Sequence, residues 1–410
     1  MRHRLLSLLA VGTASLVALG VNASGTEQAL RAELSKSLSK GLPGISAAIG
    51  TRQGVIWTAA VGYSDLESRS LAHPGYLYGI GSITKMFVAC VIEQLVDEGR
   101  LNLDATPQQI LGDAVVGSIP NADRASIRQL LNHTSGIPTW EFDSEWIRRA
   151  RGADISLDHV WGKTETLEYI RGSRHPATNA PGAAYSYSNS NYTILGLIVE
   201  KVTGADVLEA IRARVLAPLG LRDVRLEGFE PVDRARLPSR YQFATDEFVR
   251  TAGLHASFRR VSKQLIDVSR TNLSTEWTAG GIVATARDMA VFATALRDGA
   301  IVGPAGMRRM LAFRSTVDPN EQVADGMFRD RYGSEVLLGY TGNVLGFGAS
   351  VGWLEGDDVV LVIMTNVGAM HAGDAAYYPE KLLKDTQVIR LARELAHELA
   401  PRLPPNGAER

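Results

Sequence analysis

Ser82-Ile83-Thr84-Lys85 sets a hydroxyl and an amine three residues apart, directly ahead of the apolar run Met86 to Ile92. If the segment is helical, positions three apart lie on one face a single turn apart, and the two side chains are hydrogen-bonding neighbours. A serine is a weak nucleophile until a base takes its proton, and a lysine can be that base only when neutral. An exposed lysine keeps its proton up to about pH 10.4. Burial penalises the charged form and lowers that value. Met86-Phe87-Val88-Ala89-Cys90-Val91-Ile92 is apolar enough to carry the helix into a core. S-x-x-K alone is a weak pattern whose usual setting is a solvated helix face, so its meaning rests on the company it keeps.

Two other stretches carry groups suited to the same chemistry. Tyr187-Ser188-Asn189 follows Pro181-Gly182 and precedes a helix opening near Asn191. Its tyrosine offers a hydroxyl for proton relay, and its amide offers a donor and an acceptor for a substrate amide. Taken alone it is also what a hydrophilic turn and helix cap would contain. Tyr340-Thr341-Gly342-Asn343 closes an apolar run ahead of Gly346-Phe347-Gly348. A Thr-Gly pair on an edge strand permits close ligand approach. Such an edge can donate an N–H to an oxyanion while pairing with an extended substrate. A plain strand-end turn would look the same. Gly348-Ala349-Ser350-Val351-Gly352 also matches G-x-S-x-G, but that elbow needs a strand followed at once by a helix. Trp353-Leu354, a turn and another strand follow here, so Ser350 reads as a hairpin residue.

The elements that must position these groups follow from periodicity. Thr26 to Lys40 has helical spacing and stops at Gly41 before Pro43. Ile45–Thr51 and Val55–Val61 flank Arg52-Gln53-Gly54 as a hairpin. Leu337–Gly342, Phe347–Leu354 and Val359–Met364 repeat that style at the far end, and a helix covers about Pro379 to Leu399. Between them, Ser126–Leu131, Thr164–Ile170, Asn191–Val202 and Asp206–Val215 read as helices. Strands at both ends with helices between predict an antiparallel sheet of five-stranded type assembled from both termini, at about 24–80 and 270–400. A helical subdomain is inserted at about 92–265. Phe313 to Arg331 has no clear assignment.

The 410 residues are 45% hydrophobic and 21% charged with a formal net charge of −1, an ordinary globular balance that argues against nucleic acid as a partner. Arg2 and Arg4, the apolar Leu5–Val21 and the small residues Val21-Asn22-Ala23 read as a signal peptide over residues 1–23. The expectation is therefore a periplasmic or secreted bacterial enzyme with no membrane span after cleavage. Cys90 is the single cysteine and reads as core, and the eight histidines show no metal-ligand spacing, so no cofactor is expected. The Pro-rich 401–410 reads as a loose tail.

In this order, the three motifs resemble those of the penicillin-recognising serine hydrolases: the serine β-lactamases, D-alanyl-D-alanine carboxypeptidases and related esterases. The Tyr-x-Asn form looks like the branch containing class C β-lactamases and DD-peptidase-like hydrolases. Leu130-Leu131-Asn132-His133-Thr134-Ser135-Gly136-Ile137, and Ala279-Gly280-Gly281 leading into Thr285-Ala286-Arg287-Asp288, fit that branch over Pro43 to Val367. The resemblance implies an α/β (α+β) fold of β-lactamase/transpeptidase type. Ser82 would be the acylated nucleophile, Lys85 its proton partner and Tyr187 the shuttle to the leaving group, with the base left open between Lys85 and Tyr187. Asn189, Tyr340, Thr341, Gly342 and Asn343 would bind substrate, and the N–H groups of Ser82 and Asn343 would form the oxyanion hole.

One departure stands out. The family's third motif usually opens with Lys or His, and here it opens with Tyr340. A cation there draws the substrate carboxylate and lowers the pKa of the tyrosine. Its loss turns the expectation from anionic β-lactams toward peptides or esters, unless Arg259, Arg260 or Lys263 restores the charge. The expected partner is a small-molecule or peptide substrate, first of the D-alanyl-D-alanine type, then an ester or β-lactam. A sensor that acylates once without turnover is the rival from another class.

Overall fold

The computed structural model describes residues 24–374, 376–384 and 386–399. The expected signal peptide (1–23) and tail (401–410) lie outside the described residues.

Two hairpin-forming runs build the centre of the sheet. β1 (Gly44–Thr51) and β2 (Gly54–Asp65) pair antiparallel, with Ile45 opposite Val61. β1 is buried along its whole length, so both faces of the sheet are covered there. The remaining strands are β3 (Ser70–Leu71), β4 (Arg314–Ser315), β5 (Glu321–Ala324), β6 (Met327–Tyr332), β7 (Glu335–Val344), β8 (Phe347–Leu354) and β9 (Val360–Thr365). Their spatial order is β4-β5-β6-β7-β8-β9-β1-β2-β3, every pair antiparallel. The sheet is thus assembled from both ends of the chain, but it has nine strands where the pattern predicted five. The added edge is the unassigned 313–331. A two-residue Asp325-Gly326 turn joins β5 to β6, with Ala324 opposite Met327 and Gly326 at φ +73°. That position needs glycine twice over, because a Cβ there would stand 2.3 Å from the Ala89 Cβ.

α1 (Gly25–Lys36) and α5 (Thr386–Leu399) lie against each other on one face, where Arg31 covers the Trp57 ring of β2. The helix expected from Pro379 to Leu399 is described as two, Pro379–Lys384 and α5. The other face takes α4 (Ala286–Arg297), with Thr294 and Ala290 against Gly50. Behind α4 runs α2 (Thr84–Asp97), whose Phe87 stacks on Phe292 at 3.9 Å. From Thr84 to Glu93 every residue of α2 is buried. Each large apolar side chain there contributes about 2 kcal/mol on burial, which anchors the start of the helix in the core. α3 (Asn189–Thr203) packs beside α2, and Thr278 ties Gly280's helix to it by donating to the Tyr192 carbonyl at 2.9 Å. The stretch 92–265 holds three short strands besides its helices, Arg225–Leu226, Tyr241–Phe243 and Arg259–Arg260, and a fourth, Leu265–Asp267, begins at its end.

Candidate active site

Ser82 sits in a single tight turn, Gly81–Ile83, that runs straight into α2. Lys85 therefore falls in the first turn of the helix, one turn beyond the hydroxyl. Its side chain is fully buried. The amine lies 2.9 Å from Ser82 Oγ, 2.7 Å from Asn189 Oδ1 and 2.6 Å from the Ala279 carbonyl. Burial pulls the Lys85 pKa down to about 7, against the opposing pull of the Glu141 carboxylate. Near neutral pH the amine is therefore free to be unprotonated. It then has two N–H donors for two oxygens and one lone pair left for the serine.

Tyr187 approaches from the other side, its hydroxyl 2.7 Å from Ser82 Oγ. Burial holds its proton well above the usual tyrosine range, and the hydrogen bonds to Ser82 and Tyr340 work against that. The turn that presents Tyr187 and Asn189 is laced to the 130–142 loop. Ser186 N–H donates to the His133 carbonyl at 2.8 Å, and Ser188 N–H to His133 Nδ1 at 3.1 Å. Asn189 N–H donates to Thr139 Oγ1 at 3.2 Å, and Trp140 N–H to Ser190 Oγ at 3.1 Å. Asn189 has its oxygen on Lys85 and its amide N–H on Glu141, so its orientation is set at both ends.

β7 supplies the third wall. β6 pairs with it only as far as Gly339, leaving the outer edge of Tyr340–Val344 without a strand partner among the described residues. That edge comes close to the Ser82 turn. A Cβ on Gly342 would lie 1.9 Å from the Ile80 carbonyl and 2.9 Å from Ser82 N, and one on Gly81 would lie 2.8 Å from Asn343 N. Gly81 also has φ +53°. Only hydrogen at both positions lets the two backbone N–H groups come so near each other.

Ser82, Glu141, Tyr187, Tyr340, Thr341 and Asn343 line one cleft of about 220 Å³, together with the carboxylates of Glu321, Asp330 and Glu380. No lysine or arginine is among the lining residues. A larger cavity of about 590 Å³ around Phe229 holds none of these groups. All eight residues singled out from the sequence are accounted for: Ser82, Lys85, Tyr187, Asn189, Tyr340 and Asn343 converge, Thr341 lines the cleft, and Gly342 supplies the close approach. Arg259 does not restore a cation, since it pairs with Glu67 at 2.5 Å and Asp267 at 3.2 Å. Arg260 donates to the Lys263 carbonyl, likewise away from the cleft. Ser350 is a buried residue of β8 opposite Thr341, with strand on both sides, so the elbow reading has no helix to rest on.

Three contributors were not picked out as site residues. Glu141 lies between Trp140 and Phe142, and the Ala279 carbonyl lies in the quoted Ala279-Gly280-Gly281. His133 stacks on Tyr187 with ring centroids 4.3 Å apart and reaches Tyr340 Oη with Nε2 at 3.2 Å. The signal for His133 was its place in Leu130–Ile137. Nothing local marks Glu141.

The family model described as Beta-lactamase matches residues 24–384. Among curated proteins, Protein flp of Staphylococcus aureus (strain MW2) is 31% identical over 209 residues, 48% of this chain and 38% of its own length. A putative D-alanyl-D-alanine carboxypeptidase of Escherichia coli O157:H7 is 30% identical over 214 residues, 48% of this chain and 47% of its own length. The chain thus aligns with less than half the length of these curated relatives. Among solved structures, D-amino acid amidase of Ochrobactrum anthropi SV3, complexed with D-phenylalanine, superposes with a TM-score of 0.78 at 26% identity, covering 90% of this chain and 99% of that one. With a family model matched over residues 24–384, the chain belongs to the Beta-lactamase family of serine hydrolases.

Proposed function

We propose that the protein hydrolyses an amide bond through an acyl-Ser82 intermediate, with a D-amino-acid residue as acyl donor. The observation that carries the chemistry is the neutral-capable Lys85 with Ser82 Oγ at 2.9 Å and the Asn189 and Ala279 oxygens as its other hydrogen-bond partners. In acylation the Ser82 proton passes to the Lys85 lone pair as Oγ bonds to the carbonyl carbon. The N–H groups of Ser82 and Asn343 take the developing oxyanion. Tyr187 gives its proton to the leaving nitrogen as the C–N bond breaks, then recovers one from the Lys85 ammonium, which returns both groups to their resting state. Water reverses the sequence and frees the acid. Lys85 is thus favoured as the acylation base, because Tyr187 holds its own proton too tightly to start as a phenolate.

The substrate class follows from charge. The lining of the cleft has no lysine or arginine, and Tyr340 stands where the family resemblance implies a cation. A free carboxylate on the substrate would find no cation in that lining, whereas a neutral amide needs none. D-Amino-acid amides and short D-peptides are therefore favoured over β-lactams, with D-alanyl-D-alanine-type peptides, the first expectation, following in rank. Supporting the D configuration is the likeness to the D-amino acid amidase. We also propose export, supported by the charge and apolar pattern of residues 1–23.

The test is intact-mass analysis with steady-state kinetics on D-phenylalanine amide, a D-alanyl-D-alanine peptide, a penicillin and an aryl ester, in wild type and Ser82→Ala. Turnover that is fastest on the D-amide and absent in Ser82→Ala is expected. Hydrolysis that survives Ser82→Ala would sink the nucleophile assignment. A single burst without steady state would instead favour the sensor.

A further inference from the structure

His133 is buried, and both burial and the nearby Lys85 hold its pKa well below the usual histidine value, so the ring is neutral. Its tautomer is fixed by its neighbours. Ser188 N–H donates to Nδ1, which must therefore carry the lone pair, and the ring proton resides on Nε2. Nε2–H then donates to Tyr340 Oη at 3.2 Å. With that acceptor site filled, the single Tyr340 proton turns to Tyr187 Oη at 3.5 Å. Tyr187 in turn has Ser82 Oγ at 2.7 Å. The hydrogen bonds run one way, from a backbone N–H through His133 and Tyr340 to the tyrosine beside the nucleophile. Packing holds the rings in place: His133 lies on the Tyr187 ring, and Phe328 meets Tyr340 edge-on at 4.8 Å.

We propose that Tyr340 is a positioning residue that, oriented by His133, donates its hydrogen bond to Tyr187 and so enables Tyr187 to protonate poor leaving groups. The proposal rests on the acyl-Ser82 reading above. When Tyr187 gives up its proton to the leaving nitrogen, its oxygen becomes an anion, and a hydrogen bond to an anion is about twice as strong as one to a neutral oxygen. The long resting contact is thus one that tightens as the proton moves, as catalytic hydrogen bonds often do. The hydroxyl relay substitutes for an ammonium or imidazolium at position 340 without placing a cation in the cleft. That keeps the site open to substrates carrying an amine. Tyr340 keeps its own proton throughout, and the net reaction is unchanged: one amide bond broken, one ester bond formed, one amine released.

The readout is the dependence on leaving group. A p-nitrophenolate departs without needing a proton, whereas an amine does not. kcat/KM, which reports the steps up to acyl-enzyme formation, is measured on the p-nitrophenyl ester and the primary amide of the same D-amino acid. In Tyr340→Phe the ratio of the amide value to the ester value is expected to fall about tenfold or more. Circular dichroism and thermal unfolding show whether the variant is folded. Equal losses on both substrates, or none on either, would overturn the relay. If Tyr340→Phe does not fold, His133→Met removes the donor one bond further back, and the amide-to-ester ratio is expected to fall there too; an unchanged ratio counts against the proposal. Failure of the underlying reading looks different: wild-type protein would then form no Ser82-dependent adduct with the ester, whatever Tyr340 does.

Discussion

Helix α2 buries an amine and a carboxyl group, Lys85 in its first turn and Glu93 two turns on, and the contrast between them separates chemistry from architecture. Both are fully buried, and both are driven to about 7, the amine downward and the acid upward. Desolvation is the largest cause in each case. Their neighbours differ. Among the described residues Lys85 has no ion-pair partner; its amine bonds to oxygens of Ser82, Asn189 and Ala279, and Ser82 opens to the cleft. Glu93 takes a direct bond from Arg309 Nε at 2.6 Å, its other oxygen lacks a partner among the described residues, and the thiol one turn back, Cys90, is buried outside the cleft and held protonated by desolvation. A near-neutral pKa is what burial does to many ionisable groups. It becomes catalytic only with a nucleophile in reach and a path for substrate.

The contrast can be broken from either end. The largest effect is expected for Lys85→Met, which keeps the volume and removes the base: turnover should drop by about a thousandfold or more. Thermal stability should hold or rise, since a buried polar group is lost. A Lys85→Met protein with appreciable activity in a steady-state assay would dissolve the distinction. Next in size, Arg309→Met deprives Glu93 of its counter-charge and should cost about 2–3 kcal/mol in urea unfolding while leaving kcat near wild type. The loss should be greater at pH 8 than at pH 6. The folded protein holds the Glu93 proton above its ordinary 4.5, up to about 7, so stability falls as pH rises through that window. A pH-independent cost, or lost kcat, would place Glu93 in the working machinery. The smallest effect is expected for Glu141→Gln. Glu141 raises the Lys85 pKa, so neutralising it should move the acid limb of kcat/KM to lower pH. A limb that stays put or moves up would mean that another group controls it.

What the sequence made legible was local. Ser82 and Lys85 are one turn apart, Tyr187 and Asn189 share one turn, and Tyr340–Asn343 ends an apolar run, so each pattern could be read without knowing the fold. The hairpins on either side were legible for the same reason: alternating apolar residues broken by Arg52-Gln53-Gly54 or Glu355-Gly356-Asp357-Asp358. Residues 313–331 were not, because β6 places Arg329, Asp330 and Arg331 in mid-strand and pairs with β7 rather than burying a continuous face. The Asp325-Gly326 turn was the available signal. Glu141 and the role of His133 were hidden for another reason. Their partners, Asn189, Tyr187 and Tyr340, lie about 50 to 200 positions away, and only the fold brings them together.

The completely enclosed first turns of α2 tie reactivity to the integrity of the interior. On the proposed mechanism, Lys85 is a base only while water is shut out. Any loosening that wets the amine returns its proton, and the serine loses its activator while strands and helices are still intact. Dryness around one nitrogen is thus the enzyme's working condition, and swelling of the core switches it off ahead of collapse.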